Sequence, residues 1–205
     1  MGDTTPSASS DWSAYNAAQS RRDRVRPLTL AALEALAAGG RDPRGLHALE
    51  LGSGSGVEAR HLLAHGMSVD TVDADPSVAA AMAALARDGR LRHRTARIEE
   101  VDPLPAADLV LANASLPFVP RAAFPAVWAR IRAALSPGGV VAVDLFGEHD
   151  DWASGDGPYL SRAEVDGLLH GLDVVDLAQR DEDGPAFSGP KHWHTFTVVA
   201  RRPRA

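Results

Sequence analysis

The chain has 205 residues, with 21 Lys or Arg against 27 Asp or Glu, a net charge of −6 with histidine neutral. That length fits one ordinary domain, and 45% hydrophobic with 23% charged residues is the make-up of a folded, soluble chain. The acidic balance argues against a general nucleic-acid binder, no apolar run nears the roughly 18 residues of a membrane span, and the lack of cysteine excludes disulfides, thiolate metal sites and thiol nucleophiles.

Residues 1–12 are small and polar and read as a flexible tail. They lack the basic and apolar regions of a signal peptide, so a cytoplasmic protein is expected. Residues 13–45 form a helical extension: one helix from Tyr15 to about Arg24, begun by Asp11, and a second from Leu28 to Ala38 that stops at Gly39-Gly40. From residue 46 strands and helices alternate. Strands are expected at 47–51, 67–75, within 91–98, at 107–113 and at 140–146. Helices are expected at 57–65, from Asp75-Pro76 to Arg87, at about 122–135, and from a Ser161/Glu164 capping box to Gly171. Two final strands, 173–178 and 193–200, are separated only by a turn-rich loop, 179–191, and should pair as an antiparallel hairpin. The sum is an α/β fold: a doubly wound, Rossmann-like, seven-stranded and mostly parallel sheet over 46–205.

Glu50-Leu-Gly52-Ser-Gly54-Ser-Gly56 lies between the first strand and its helix. Glycines there let the backbone turn tightly and a ligand approach the main chain. The third glycine comes one residue too early for the dinucleotide pattern, and Glu50 would repel a pyrophosphate while suiting a cationic group. Asp73 ends the second strand, where a carboxylate can accept both hydroxyls of a ribose. With these residues in place the chain resembles the class I S-adenosylmethionine-dependent methyltransferases. LELGSGSG matches their first motif, VDADPSVAAAM the stretch after their ribose-binding acid, and ADLVLANASL and LSPGGVVAVDLF their fourth strand and the turn into the fifth. Within that class the chain resembles small bacterial enzymes of the tellurite-resistance and thiopurine-methyltransferase type.

The resemblance implies S-adenosylmethionine as cofactor. Gly52, Gly54 and Gly56 would line its methionine and ribose, Glu50 would bind its amino group, Asp73 its ribose hydroxyls, Ala74 would lie beside the adenine, and the Ile98 amide would meet the ring. Arg97 stands where such enzymes often place an acid for the adenine amine, and Val57-Glu58 replaces a frequent Arg-Asp pair. Trp12 and Tyr15 sit on a short helix able to fold over the cofactor as a lid, excluding water from an electrophilic methyl.

The substrate is expected at the carboxyl edge of the parallel strands. Asn113 ends the fourth strand and offers a carbonyl and an amide to a reacting amine or to the cofactor. Trp152 and Tyr159 could cover the pocket, and Ser188 could donate a hydrogen bond into it. Lys191 is the sole lysine among the 21 Lys and Arg, which hints at a task arginine cannot perform. His192 and His194 share one strand face, with Trp193 on the other, and either histidine could accept a substrate proton. Glu148, His149, Asp150 and Asp151 are consecutive, and consecutive side chains rarely converge on one ion, so no metal is expected. The arginines at 87, 90, 92, 94 and 97 read as a charged sheet edge. The expected activity is methyl transfer to an O, N or S nucleophile of a small molecule, with no nucleic-acid or membrane partner and no oligomeric state assigned. Three alternatives stand beside it: cyclisation of S-adenosylmethionine with release of methylthioadenosine, a nicotinamide-dependent oxidoreductase, and a non-catalytic binding module.

Overall fold

The computed structural model describes residues 10–19, 24–187 and 189–204. Helices α1 (Ser10–Gln19) and α2 (Pro27–Ala38) precede an alternating run: β1 (His47–Leu51), α3 (Val57–Ala64), β2 (Ser68–Asp73), α4 (Ala79–Leu85), β3 (Leu91–Thr95), β4 (Ala107–Ala112), α5 (Phe124–Ala134) and β5 (Leu135–Gly147). The chain closes with β6 (Tyr159–Leu160), α6 (Arg162–Leu168), β7 (Asp173–Ala186) and β8 (Gly189–Arg201). The strands lie in the order β3-β2-β1-β4-β5-β8-β7, with the two-residue β6 added beside β5. Every pairing from β3 through β5 is parallel, whereas β8 runs antiparallel to both β5 and β7. The doubly wound sheet and C-terminal hairpin are thus those expected.

Apolar strands carry the sheet because both faces are covered. One face packs Leu49, Val110, Val141 and Phe196 against Phe124, Val127, Trp128 and Ile131 of α5 and Val165 of α6. The other packs Leu109, Leu111 and Val140 against Leu28, Ala32 and Leu36 of α2 and Leu62 of α3. Asp75 caps the turn at 76–78, its carboxylate accepting from the Ser77 amide at 2.9 Å. The Ser161/Glu164 capping box opens α6 as its sequence predicts. β3 is the sheet edge that carries the arginine run, and Arg92 is anchored to Asp70 at 2.9 Å.

The structure corrects three expectations. α1 occupies 10–19 rather than 15–24, so Asp11 lies within the helix. β5 starts at Leu135, ahead of Pro137-Gly138-Gly139, because Leu135 pairs with Ala107 before the register shifts. The segment 179–191 is not a loop: β7 and β8 continue through it as a paired ribbon to Ala186↔Gly189. Polar cross-strand pairs hold this ribbon, and they leave no apolar periodicity to read. Two residues of that ribbon's surface, Val174 and Val175, and Phe187 at its tip, are large exposed apolar groups.

Candidate active site

The strand order reverses between β1 and β4, and in such sheets the ligand crevice opens there, beyond the strands' carboxyl ends. The glycine loop leaves β1 at this point. Gly52, Gly54 and Gly56 have φ of 77°, 49° and 78°, values that L side chains rarely adopt. At Gly52 an added Cβ would lie 2.3 Å from Ser115 Cβ, so packing demands that glycine, whereas at Gly56 it would meet the flexible end of Met82, Cε at 2.5 Å, and the positive φ is what calls for glycine. Gly54 is different: an added Cβ would meet only Asn16 Oδ1, at 3.0 Å, so its Cα side faces the helix lying over the loop.

Asp73 stands at the end of β2. One oxygen accepts from the Gly54 amide at 2.7 Å and the other from the Asp75 amide at 2.9 Å. Burial raises its pKa above the usual carboxylate value, against the pull of these two amides. Each oxygen keeps a lone pair, so the pair of acceptors for two vicinal hydroxyls is held in place. Ala74 beside it is exposed, and Ile98 opens a 3-10 turn where β3 ends. Arg97 is turned onto Glu99. Glu50, 2% exposed, lies on β1 beneath the loop. Ser53 Oγ and Asn113 Oδ1 are buried with no hydrogen-bond partner among the described residues. Unpaired acceptors and donors at a loop of this kind are what a polar ligand would satisfy. The residues present therefore fit S-adenosylmethionine.

Helix α1 is docked across this crevice. Ser13 Oγ donates to Asp75 Oδ1 at 3.0 Å and Asn16 Nδ2 to Asp75 Oδ2 at 2.8 Å. Trp12 meets Phe118 after β4 with ring centroids 4.5 Å apart, and Tyr15 meets Phe187 at the hairpin tip at 5.6 Å. The helix thus touches the ends of β2 and β4 and the hairpin together. Arg26 Nη2 donates to Tyr15 Oη at 3.0 Å and the Arg26 amide to Glu58 at 3.2 Å.

At the end of β4, Asn113 Nδ2 donates to Thr29 Oγ1 at 3.2 Å. Ala114 follows in the left-handed region, φ 52°, a strained conformation for a residue with a Cβ. Its amide donates to Asp144, whose other partner is Thr197 Oγ1 at 2.9 Å. Burial pushes the Asp144 carboxyl above its ordinary pKa, although Thr197, Arg26 and the Ala114 amide pull it down. Sequence reading passed over Asp144. The signal was there: one carboxylate inside the apolar run VVAVDLF.

Four expected residues take places other than those foreseen. Lys191 is 6% exposed and paired with Asp150, itself 3% exposed. Its ammonium lies 3.7 Å from the Trp152 ring centroid, 4.1 Å from Trp193 and 5.1 Å from Phe146. The lysine is thus consumed inside an aromatic box, where burial lowers its pKa against the opposing charge of Asp150, and it presents no free head to a substrate. Asp150 also accepts from the Trp152 and His194 amides at 3.0 and 3.2 Å. His194 is 2% exposed, with Nδ1 accepting from the His149 amide at 3.1 Å and Nε2 3.0 Å from Gln179. His192 lies at the surface between Asp181 and Asp183, each 2.8 Å away, which raise its pKa and favour a ring with no lone pair for a substrate proton. Burial, with the charge of Asp150, pushes the Tyr159 phenol up to about 12, which makes it a donor and not a base. Ser188 lies outside the described residues. Trp152 packs against Phe118 and the buried Phe146, with centroids at 6.0 and 5.9 Å, as an aromatic wall after the ends of β4 and β5.

A doubly wound sheet with a glycine bend at the strand-order reversal and an amide-held carboxylate beside it is an arrangement in which α/β folds receive a nucleoside. The match to known proteins then narrows it: residues 49–141 match the family described as methyltransferase domain. TehB from Haemophilus influenzae superposes with a TM-score of 0.74 at 12% identity, over 93% of this chain and 67% of that one. The Burkholderia thailandensis 1,6-didemethyltoxoflavin-N1-methyltransferase, solved with 1,6-didemethyltoxoflavin and S-adenosylhomocysteine, gives 0.63 at 21% over 98% and 93%. The [4+2]-cyclase SpnF gives 0.63 at 15% over 86% and 81%. No curated protein matches the chain. Residues 49–141 thus match a methyltransferase domain, and the chain as a whole shares the fold of these solved structures. Among the described residues no helix is long and apolar enough to cross a membrane.

Proposed function

We propose that this enzyme methylates a nitrogen or oxygen of a small, flat, unsaturated molecule lying between Asn113, Asp144 and the Phe118–Phe146–Trp152 wall. The observation that carries this reading is the buried, unpartnered Oδ1 of Asn113, one residue from the amide that Asp144 accepts. An N–H or O–H of the acceptor satisfies that oxygen, which turns the nucleophile's lone pair in a fixed direction. Bound S-adenosylmethionine supplies an electrophilic methyl on a sulfonium. Asp73 holds the ribose, Glu50 the amino group and the glycine loop the chain between them. Tyr15 and Trp12 on α1 keep water away. Asp144 receives the proton that the acceptor gives up when its heteroatom gains the methyl, and burial, which favours its protonated form, helps it to do so. The aromatic wall favours stacking of a planar ring.

The test is product analysis. The chain is incubated with S-adenosylmethionine and a panel of planar N–H and O–H heteroaromatics that includes 1,6-didemethyltoxoflavin, and small products are identified by mass spectrometry. A methylated acceptor appearing together with S-adenosylhomocysteine is the expected result. Methylthioadenosine formed with no acceptor present would instead establish cyclisation of the cofactor, and that reading would replace this one.

A further inference from the structure

On the hairpin's face away from Lys191 and Trp193, three groups of metal-ligand type come together from three separate segments. They are His149 in the segment after β5, Asp181 on β7 and His194 on β8, and one ligand atom of each lies within 4.8 Å of the others. The antiparallel register sets Asp181 directly opposite His194. His149 is brought in by its chain: its ring stacks on His194 with centroids 4.7 Å apart at 24°, and its Nδ1 lies 3.0 Å from Asp181 Oδ2. The second oxygen of Asp181 is held from outside by His192 Nε2 at 2.8 Å, and His192 is in turn held by Asp183 through Nδ1, also at 2.8 Å. Such outer partners fix the direction of a ligating carboxylate.

We propose that His149, Asp181 and His194 form a binding site for a divalent transition-metal ion of the zinc type. Two imidazoles and one carboxylate, without sulfur, suit Zn²⁺, Co²⁺ or Ni²⁺ and are a poor set for Ca²⁺ or Mg²⁺, which take oxygen ligands. Three protein ligands leave a fourth position for water or for the Gln179 amide oxygen, whose side chain lies 3.0 Å from His194 Nε2. Sequence order hides the site: the four consecutive residues 148–151 cannot converge on one ion, but one of them meets two residues more than 30 positions away.

Binding has a structural consequence. A neutral imidazole has one lone pair, and that of His194 now accepts the His149 amide through Nδ1. Coordination through Nδ1 displaces that amide, and coordination through Nε2 puts a proton on Nδ1. Either way the hydrogen bond is exchanged for a coordinate link. The segment concerned carries Asp150 and Trp152, so the ion would retune the box around Lys191 and with it the aromatic wall.

The experiment uses the full chain without an affinity tag. Zinc chloride is titrated calorimetrically, and bound zinc is counted by elemental analysis after dialysis. One equivalent is expected for the wild type, none retained by His149→Ala or Asp181→Asn, and an affinity about 10–100-fold lower for His192→Ala. A double His61→Ala/His65→Ala variant removes the helical histidine pair, whose rings lie 4.4 Å apart, and should keep its full equivalent. Zinc addition should change tryptophan fluorescence in the wild type and not in His149→Ala. Thermal unfolding without metal verifies that each variant is folded. Equal zinc uptake by wild type and His149→Ala, no uptake by either, or loss of uptake in the His61/His65 variant alone would overturn the site.

Discussion

Both oxygens of Asp73 are framed by backbone amides, so the carboxylate is aimed before any ligand arrives. Replacing it with alanine removes charge-assisted bonds to the ribose and should weaken S-adenosylmethionine binding by about 1.5–3 kcal/mol, read by calorimetry. The pH dependence has a definite sign. The acceptor form is the ionised one and its pKa is raised, so affinity is complete above that pKa and falls as pH drops through it, at a higher pH than an ordinary carboxylate would show. Asp73→Asn should flatten this fall. Asp144 makes the opposite kind of prediction. A raised carboxyl pKa means the folded chain takes up the proton more readily than the unfolded one, so stability is lost as pH rises through it. Asp144→Asn should therefore gain roughly 0.5–2 kcal/mol at neutral pH in denaturant titrations, keep its bond from Thr197, and lose methyl transfer. A variant less stable than the wild type would contradict the assignment.

Among elements, the segment after β5 and the β7–β8 hairpin are joined by the buried Lys191–Asp150 pair and by the His192 and His194 amides, which donate to Asp151 and Asp150. Removing one partner of a buried pair strands the other charge, so Lys191→Met should destabilise by about 3–5 kcal/mol in denaturant titrations. Lys191→Arg should not rescue it, because a planar guanidinium does not fit the volume that three rings leave for an ammonium. The sole lysine, expected at the substrate, is instead enclosed with Asp150 among the rings. Its neighbours His192 and His194 were correctly placed on one face by strand alternation. Which groups lie across from that face was not legible, because the ribbon that sets Asp181 opposite His194 has no apolar period.

The whole molecule is organised around the point where the strand order turns back between β1 and β4. Ligand held there by the ends of β1 and β2, and by α1 above them, binds only the folded chain. At a concentration 100 times its dissociation constant, S-adenosylmethionine should add about 2.7 kcal/mol, or about 5–11 °C in melting temperature for a domain of this size. A nicotinamide dinucleotide should add nothing, and a comparable shift from it would mean the nucleoside site is misread.

Periodicity and punctuation are local, and so the sequence alone determined the alternating elements, the parallel sheet, the glycine bend and the acid that follows it. Its spacings also carried the kinship with methyltransferases. Contacts between distant segments are not local. Only the folded chain decided that Lys191 is enclosed, that Asp144 accepts the Ala114 amide at the end of β4, and that α1 reaches from Asp75 to Phe118 and Phe187. The same holds for the histidines of two segments that converge on Asp181. Side-chain chemistry names what a residue can do, but burial and neighbours select which of those things it does, and both are properties of the assembled sheet.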